Sequence, residues 1–139
     1  MNTAALLQHI RCPSEYSHLT EITFQRHLRY CQYHQFDFMF EASAPVEQEG
    51  DWDKVLMIRR ALAMGYESVA YLDADAMIYD VRVDLRVACI KPIGAVMYDN
   101  PCTHVNTGVM YFKNSHDTRQ MVGEWLEGMP GKSNGVLSW

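Results

Sequence analysis

Ser68-Val69-Ala70-Tyr71-Leu72-Asp73-Ala74-Asp75-Ala76-Met77-Ile78 drives an apolar run straight into two carboxylates spaced i, i+2. Val69, Ala70, Tyr71 and Leu72 are apolar at both parities, the pattern of a central parallel strand covered on both faces. Strand periodicity carried through the acids puts Asp73 and Asp75 on one side of the chain, where they share a ligand. Two acids at the carboxyl end of a buried strand are costly unless something positive lies between them, and a hard divalent cation carrying a phosphate suits that place. Open α/β sheets bind ligands just outside the carboxyl ends of such strands, so the position points to a nucleotide-diphosphate site. Paired aspartates also occur as solvated turn caps, and spacing alone does not separate the two readings.

Working outward from this stretch, strands and helices alternate, which predicts an α/β fold with a mainly parallel sheet flanked by helices. Residues 4–10 read as a first strand, although Gln8 and His9 weaken the pattern. Over 15–34, Tyr16, Leu19, Ile22, Phe24, His27, Leu28 and Cys31 recur at helical spacing, with Ser14 or Ser17 as a cap. Residues 36–40 form a second, aromatic strand, and the polar, Pro-containing stretch 41–50 is its loop. Asp51 caps a helix over 52–64 that Gly65 ends. Beyond the acidic pair, 82–90 carries the chain away, 94–98 and 105–112 are strands, and 117–126 is the last helix. No repeat, low-complexity tract or linker divides the 139 residues, so a single domain over 1–139 is expected.

Composition narrows the function classes. A chain of this length that is 48% hydrophobic has a real core, burying about two-thirds of its extended surface. A net charge of −5 with scattered Lys and Arg leaves no footprint for nucleic acid or anionic lipid. Cysteines at 12, 31, 89 and 102 show neither a C-x-x-C pair nor zinc spacing and read as reduced thiols. The amino end lacks a basic region, and no run approaches the ~18 apolar residues of a membrane span, so a soluble, cytoplasmic chain is expected.

Two further elements flank the acidic strand. With residues at ~100° intervals, Trp52, Val55, Leu56, Ile58, Leu62 and Ala63 form the apolar arc of the preceding helix, and Arg59 falls inside it. A guanidinium there must snorkel, pair with a carboxylate or meet a ligand anion, because it cannot lose its charge. Lys54 lies off the arc in the first turn, where a cation opposes the helix dipole. It is either an ordinary surface lysine or the partner of a phosphate bound at that helix start. In His104-Val105-Asn106-Thr107-Gly108-Val109-Met110-Tyr111-Phe112-Lys113-Asn114, polar Asn106 and Thr107 open a half-buried strand, and Gly108 allows close backbone approach. The same residues also suit a plain turn into a strand, and His104 is either a hydrogen-bonded histidine or a metal ligand.

In this order, Trp52 with Lys54 on a helix, Tyr71-Leu72-Asp73-Ala74-Asp75-Ala76, Asp99-Asn100-Pro101 and then Val105 to Ser115 resemble glycosyltransferases of the GT-A fold. The nearest likeness is to the metal-dependent, retaining galactosyl-, mannosyl- and xylosyltransferases acting on polysaccharides, with glycogenin-like enzymes as more distant cousins. Tyr30, Cys31, His34 and Asp37 resemble a Y-C-x-x-H segment of the same enzymes, so the likeness spans about residues 16 to 127. It implies a UDP- or GDP-linked sugar donor, manganese or magnesium, and transfer to the hydroxyl of a glycan or other acceptor. By the resemblance, Asp73 faces the donor ribose and the metal, and Asp75 ligates the metal that bridges the two phosphates. Lys54 and Arg59 stand on the donor side, Asn106 lies near the transferring sugar, Thr107 and Gly108 shape the pocket wall, and Asp99 and Asn100 reach donor-sugar hydroxyls.

Family members continue past the last helix into an acid or amide segment and a metal-binding histidine, whereas no histidine follows His116 here. The resemblance therefore implies a fragment, or a small version completed by a partner chain or a second copy. Two alternatives stand beside the transferase. A haloacid-dehalogenase-like phosphatase also runs an apolar strand into D-x-D, with one aspartate as nucleophile and the other as acid/base, although near the start of its domain. The other is a non-catalytic module that binds nucleotide-sugar or a partner without turnover.

Overall fold

The sheet is organised around the strand that ends at Asp73. A computed structural model describes residues 2–11, 17–43, 52–97 and 105–128. Its elements are β1 (Ala4–Arg11), α1 (Ser17–His34), β2 (Phe36–Ser43), α2 (Trp52–Ala63), β3 (Ser68–Asp73), α3 (Leu85–Ala88), β4 (Ile93–Met97), β5 (Val105–Lys113) and α4 (His116–Glu127). The strand order is β2-β1-β3-β5-β4. β1 is parallel to both β2 and β3, with Leu7 opposite Met39 and Tyr71. β5 runs antiparallel to β3 and β4 antiparallel to β5, so the expected parallel arrangement covers β2, β1 and β3 and gives way to an antiparallel edge. The expected caps Ser14 and Asp51 lie outside the described residues, as do Tyr16, Tyr98, Asp99, Asn100 and His104.

Alternation along the strands divides the core into two layers. Ala5, Leu7, Val69, Tyr71, Met110 and Phe112 face α2 and α4, where Val55, Ile58, Leu62, Val122 and Leu126 close the layer. Ala4, Leu6, Ala70, Leu72 and Tyr111 face the other way, against Tyr30 and Cys31 of α1 and the partly buried Leu85 and Cys89. α2 ends as expected at Gly65, whose φ of +91° is the left-handed conformation of a helix C-cap. Asn114 ties that end to β5 by donating to the carbonyls of Leu62 and Tyr66. Ser115 caps α4 by accepting from the Thr118 amide. Among the described residues, no helix is long and apolar enough to cross a membrane.

The buried face of α1 agrees with the expected one at His27 and Cys31 and departs from it elsewhere. Leu19 and Ile22 are exposed, and the residues turned inward are Thr23, His27, Tyr30 and Cys31. The hydrophobic pattern misplaces Leu19 and Ile22 because α1 meets Gln8 of β1 and the polar backbone beyond β3, and both need hydrogen-bond partners more than apolar cover. Gln8 Nε2 donates to Thr23 Oγ1 at 3.0 Å, and His27 Nδ1 lies 3.2 Å from Gln8 Oε1. Apolar cover instead comes from Phe24, whose ring packs on Phe38 and Phe40 with centroids 5.1 and 5.3 Å away. Gln8 and His9 are thus compatible with a strand because both sit at the carboxyl end of β1 beside polar partners.

His27 is fully buried, and burial pushes its imidazole down to about 4, opposed by the backbone of Ala76. The unfolded chain, with histidine at its ordinary 6.5, therefore binds more protons than the folded one between those values. The stability this histidine contributes is complete above pH 6.5 and is lost as the pH falls toward 4. Denaturant titrations at pH 7 and pH 5 should show a loss of about 2 kcal/mol from this residue, which His27→Gln removes. An unchanged pH dependence in the variant would contradict the assignment.

Candidate functional site

β3 delivers Asp73 to the carboxyl edge of the sheet and ends there. Ala74 and Asp75 form a turn closed by the Ala76 amide donating to the Asp73 carbonyl at 3.0 Å. This corrects the strand-based pairing of the two acids, since the chain leaves extended geometry between them. Asp73 points toward α2 as the last side chain of β3, and Asp75 is exposed in the turn. The physical reason is that Asp73 has no β5 partner, because the β3–β5 register ends at Leu72 opposite Val109.

Lys54 corrects a second expectation. It is buried in the first turn of α2, with Nζ 3.0 Å from Asp73 Oδ1 and 3.4 Å from Oδ2. Its ammonium also donates to Thr107 Oγ1 at 3.4 Å and stands 5.5 Å from the Tyr71 ring centroid. The Tyr71 hydroxyl donates to Asp73 Oδ1 at 3.0 Å. The apolar arc missed this because the carboxylate of Asp73 and the face of Tyr71 replace the solvent around the ammonium. Leu56 and Ala63, assigned to the arc, are exposed, whereas Met57 and Ala61 are buried. Arg59 is half-buried five residues further along α2, about 7.5 Å along the axis toward the opposite edge of the sheet. The fold therefore gathers Lys54, not Arg59, to Asp73.

β5 contributes the third side through a local irregularity. Its register with β4 jumps between Ala95, opposite Met110, and Val96, opposite Asn106, so Thr107, Gly108 and Val109 have no β4 partner and lie in a bulge. Asn106 Oδ1 accepts from the Gly108 amide at 2.7 Å, which holds the bulge from within. A Cβ built on Gly108 would lie 2.9 Å from both Asp73 Oδ2 and Asn106 Oδ1, so the expected close approach at this glycine is to the aspartate itself. Thus Lys54, Asp73, Asn106, Thr107 and Gly108 converge, Asp75 follows in the adjoining turn, and Asp99 lies outside the described residues.

Sequence reasoning did not single out Tyr71 or His9. Tyr71 was legible, since i, i+2 alternation puts it on the face of Asp73. His9 is register-paired with Asp73 across β1 and β3, with Nε2 3.6 Å from Asp53 Oδ2, and no local pattern in the sequence reveals that pairing. His9, Asp53, Glu41 and Arg60 line a neighbouring cleft of about 520 Å³, across which Arg60 pairs with Glu41.

The oxygen donors at the turn suit a hard cation. Magnesium-type ions are commonly held by one or two carboxylates plus substrate phosphates. Asp73 Oδ1 accepts from Tyr71 and Lys54, and Oδ2, 3.4 Å from the same ammonium, is turned toward Gly108. Among the described residues, no group of three or more His, Cys, Asp or Glu converges on one point.

A three-layer sheet of this topology, with a carboxylate turn closing its central strand, is the GT-A fold of glycosyltransferases. The chain belongs to the galactosyl transferase GMA12/MNN10 family, whose model matches residues 5–96. That range takes in Lys54, Asp73 and Asp75 and stops short of Asn106. The fold is also similar to the crystal structure of a glycosyltransferase involved in the glycosylation of the major capsid of PBCV-1. The TM-score is 0.71 and the identity 18%, over 92% of this chain and 68% of that one. No curated protein matches the chain. Family membership makes it a glycosyltransferase and removes the phosphatase alternative.

Gly108→Ala should displace Asp73 or Asn106 and lower stability by about 1–3 kcal/mol in urea titrations. Gly94→Ala, where the nearest atom to the new Cβ is Cys89 Sγ at 3.7 Å, is the control and should stay close to wild type. Equal stability of the two variants would mean that the bulge yields freely.

Proposed function

We propose that this domain transfers a sugar from a UDP- or GDP-linked donor to a hydroxyl of a glycan or similar acceptor, with manganese or magnesium held at Asp73 and Asp75. The observation that carries the proposal is the carboxylate of Asp73, fixed by Lys54 and Tyr71 at the sheet edge with Asp75 open to solvent in the next turn. When bound, the cation supplies Lewis-acid stabilisation of negative charge on the departing nucleoside diphosphate. Lys54 adds a fixed positive charge on the donor side, its stem already ordered by Tyr71 and its head by Asp73 and Thr107. Tyr71 keeps Asp73 oriented through Oδ1.

Asn106, placed beside Asp73 by the bulge, is proposed to contact the transferring sugar, with Thr107 and Gly108 as the wall that excludes water. Asp99 is proposed as a further contact to donor-sugar hydroxyls. Retention of anomeric configuration follows only from the likeness to retaining enzymes.

Calorimetry with manganese and UDP or GDP tests the proposal. Asp75→Ala should weaken metal-dependent nucleotide binding at least ~10-fold, and equal binding by both proteins would sink the assignment. Lys54→Met should weaken nucleoside diphosphate by about 1–3 kcal/mol while sparing the nucleoside. If both ligands weaken alike, Lys54 serves the fold alone.

A further inference from the structure

One face of α1 is occupied by side chains that bind backbone groups of the segment following β3. Thr23 Oγ1 donates to the Ala74 carbonyl at 3.2 Å, inside the Asp73–Asp75 turn. Further along the helix, Arg26 Nε donates to the Ile78 carbonyl at 3.0 Å, and its guanidinium also reaches the Tyr79 carbonyl. His34 Nε2 lies 2.8 Å from the Val81 carbonyl, and the Tyr30 hydroxyl accepts from the Leu85 amide at 2.8 Å. Thr23, Arg26, Tyr30 and His34 follow helical spacing and so form one stripe.

The turn has little regular structure of its own, and a carboxylate on an exposed turn is oriented only as well as its backbone is held. At Thr23 the restraint is deepest. Thr23 is 3% exposed, and Gln8 and His27 behind it are 0% exposed. The Gln8 amide fills the acceptor side of the hydroxyl, whose one proton has the Ala74 carbonyl at 3.2 Å as its shorter acceptor and the Thr20 carbonyl of its own helix at 3.5 Å, and His27 holds the other end of that amide. His27 Nδ1 anchors this buried relay, and the backbone of Ala76 also acts on the imidazole.

Resting on the metal–nucleotide function proposed above, we propose that Thr23, braced by Gln8 and His27, is a positioning residue that fixes the Asp73–Asp75 turn so that the Asp75 carboxylate meets the cation without reordering. Its contribution to donor binding comes through the Ala74 carbonyl, and it touches neither cation nor nucleotide. Truncation of the hydroxyl frees the turn, and each binding event must then order it again.

The test combines hydrogen exchange with calorimetry on Thr23→Val, which keeps the shape and removes the hydroxyl, and on Thr23→Ser, which restores it. In Thr23→Val, exchange in a peptide covering 74–78 should quicken ~10-fold while peptides from β1 and β3 stay protected. Affinity for manganese–UDP should fall ~5–10-fold, and affinity for uridine alone should not change. Thr23→Ser should recover both, and Thr23→Ala carries the same expectations should the valine variant not fold.

Unchanged exchange at 74–78 overturns the proposal. Faster exchange with wild-type manganese–UDP affinity also overturns it, because the turn would then not be coupled to binding. A wild type that binds no manganese–UDP defeats the site function on which the affinity arm rests, and exchange alone then decides whether Thr23 fixes the turn.

Discussion

The ion pair between Lys54 and Asp73 is the contact on which the carboxyl edge of the sheet depends. It joins the first turn of α2 to the last residue of β3, two elements brought together only when the helix has crossed back over the sheet. A hydrogen bond to a charged group contributes about 1.5–3 kcal/mol, and each partner here is held by a second contact. Tyr71 orients the carboxylate and Thr107 receives the ammonium, so both charges are fixed before any ligand arrives. Ordering groups in advance is what lets a polar site bind without a large entropic cost. A lysine off the apolar arc of its helix is stable here because its counter-charge comes from a neighbouring element.

The site has a front and a back. In front, β5 brings a bulged Asn106-Thr107-Gly108 segment beside Asp73, and it does so because β5 runs antiparallel to β3. A parallel β5 would set Lys113 at that edge and carry Asn106 to the opposite one. Behind, α1 donates side-chain hydrogen bonds into the carbonyls of the turn and the irregular segment after it. The polar residues inside the α1 layer thus meet the requirement that buried backbone be satisfied where the ladder has ended.

The same polar face explains where sequence patterning succeeded and where it failed. Apolar residues at both parities in 69–72 identified a central strand, Gly65 marked the end of α2, and both features act within a few residues of chain. Leu19 and Ile22 misled for α1 because hydrophobic periodicity assumes that a helix packs on apolar surface. Alternation beyond Leu72 misled for Asp75 because nothing local says that a strand loses its neighbour one residue early. The role of Tyr71 was within reach of the sequence, but the partnership of His9 with Asp73 was not, since parallel register is a tertiary property.

By itself the sequence determined the α/β class, the central strand and the acidic pair at its carboxyl end, since these rest on local periodicity and residue chemistry. Tertiary structure alone decided which cation meets Asp73, which way β5 runs, that Asp75 sits in a turn and that Thr23, Gln8 and His27 stand behind it. Those outcomes depend on contacts between residues tens of positions apart, whose energies are set by burial and hydrogen-bond geometry that no short stretch of chain encodes.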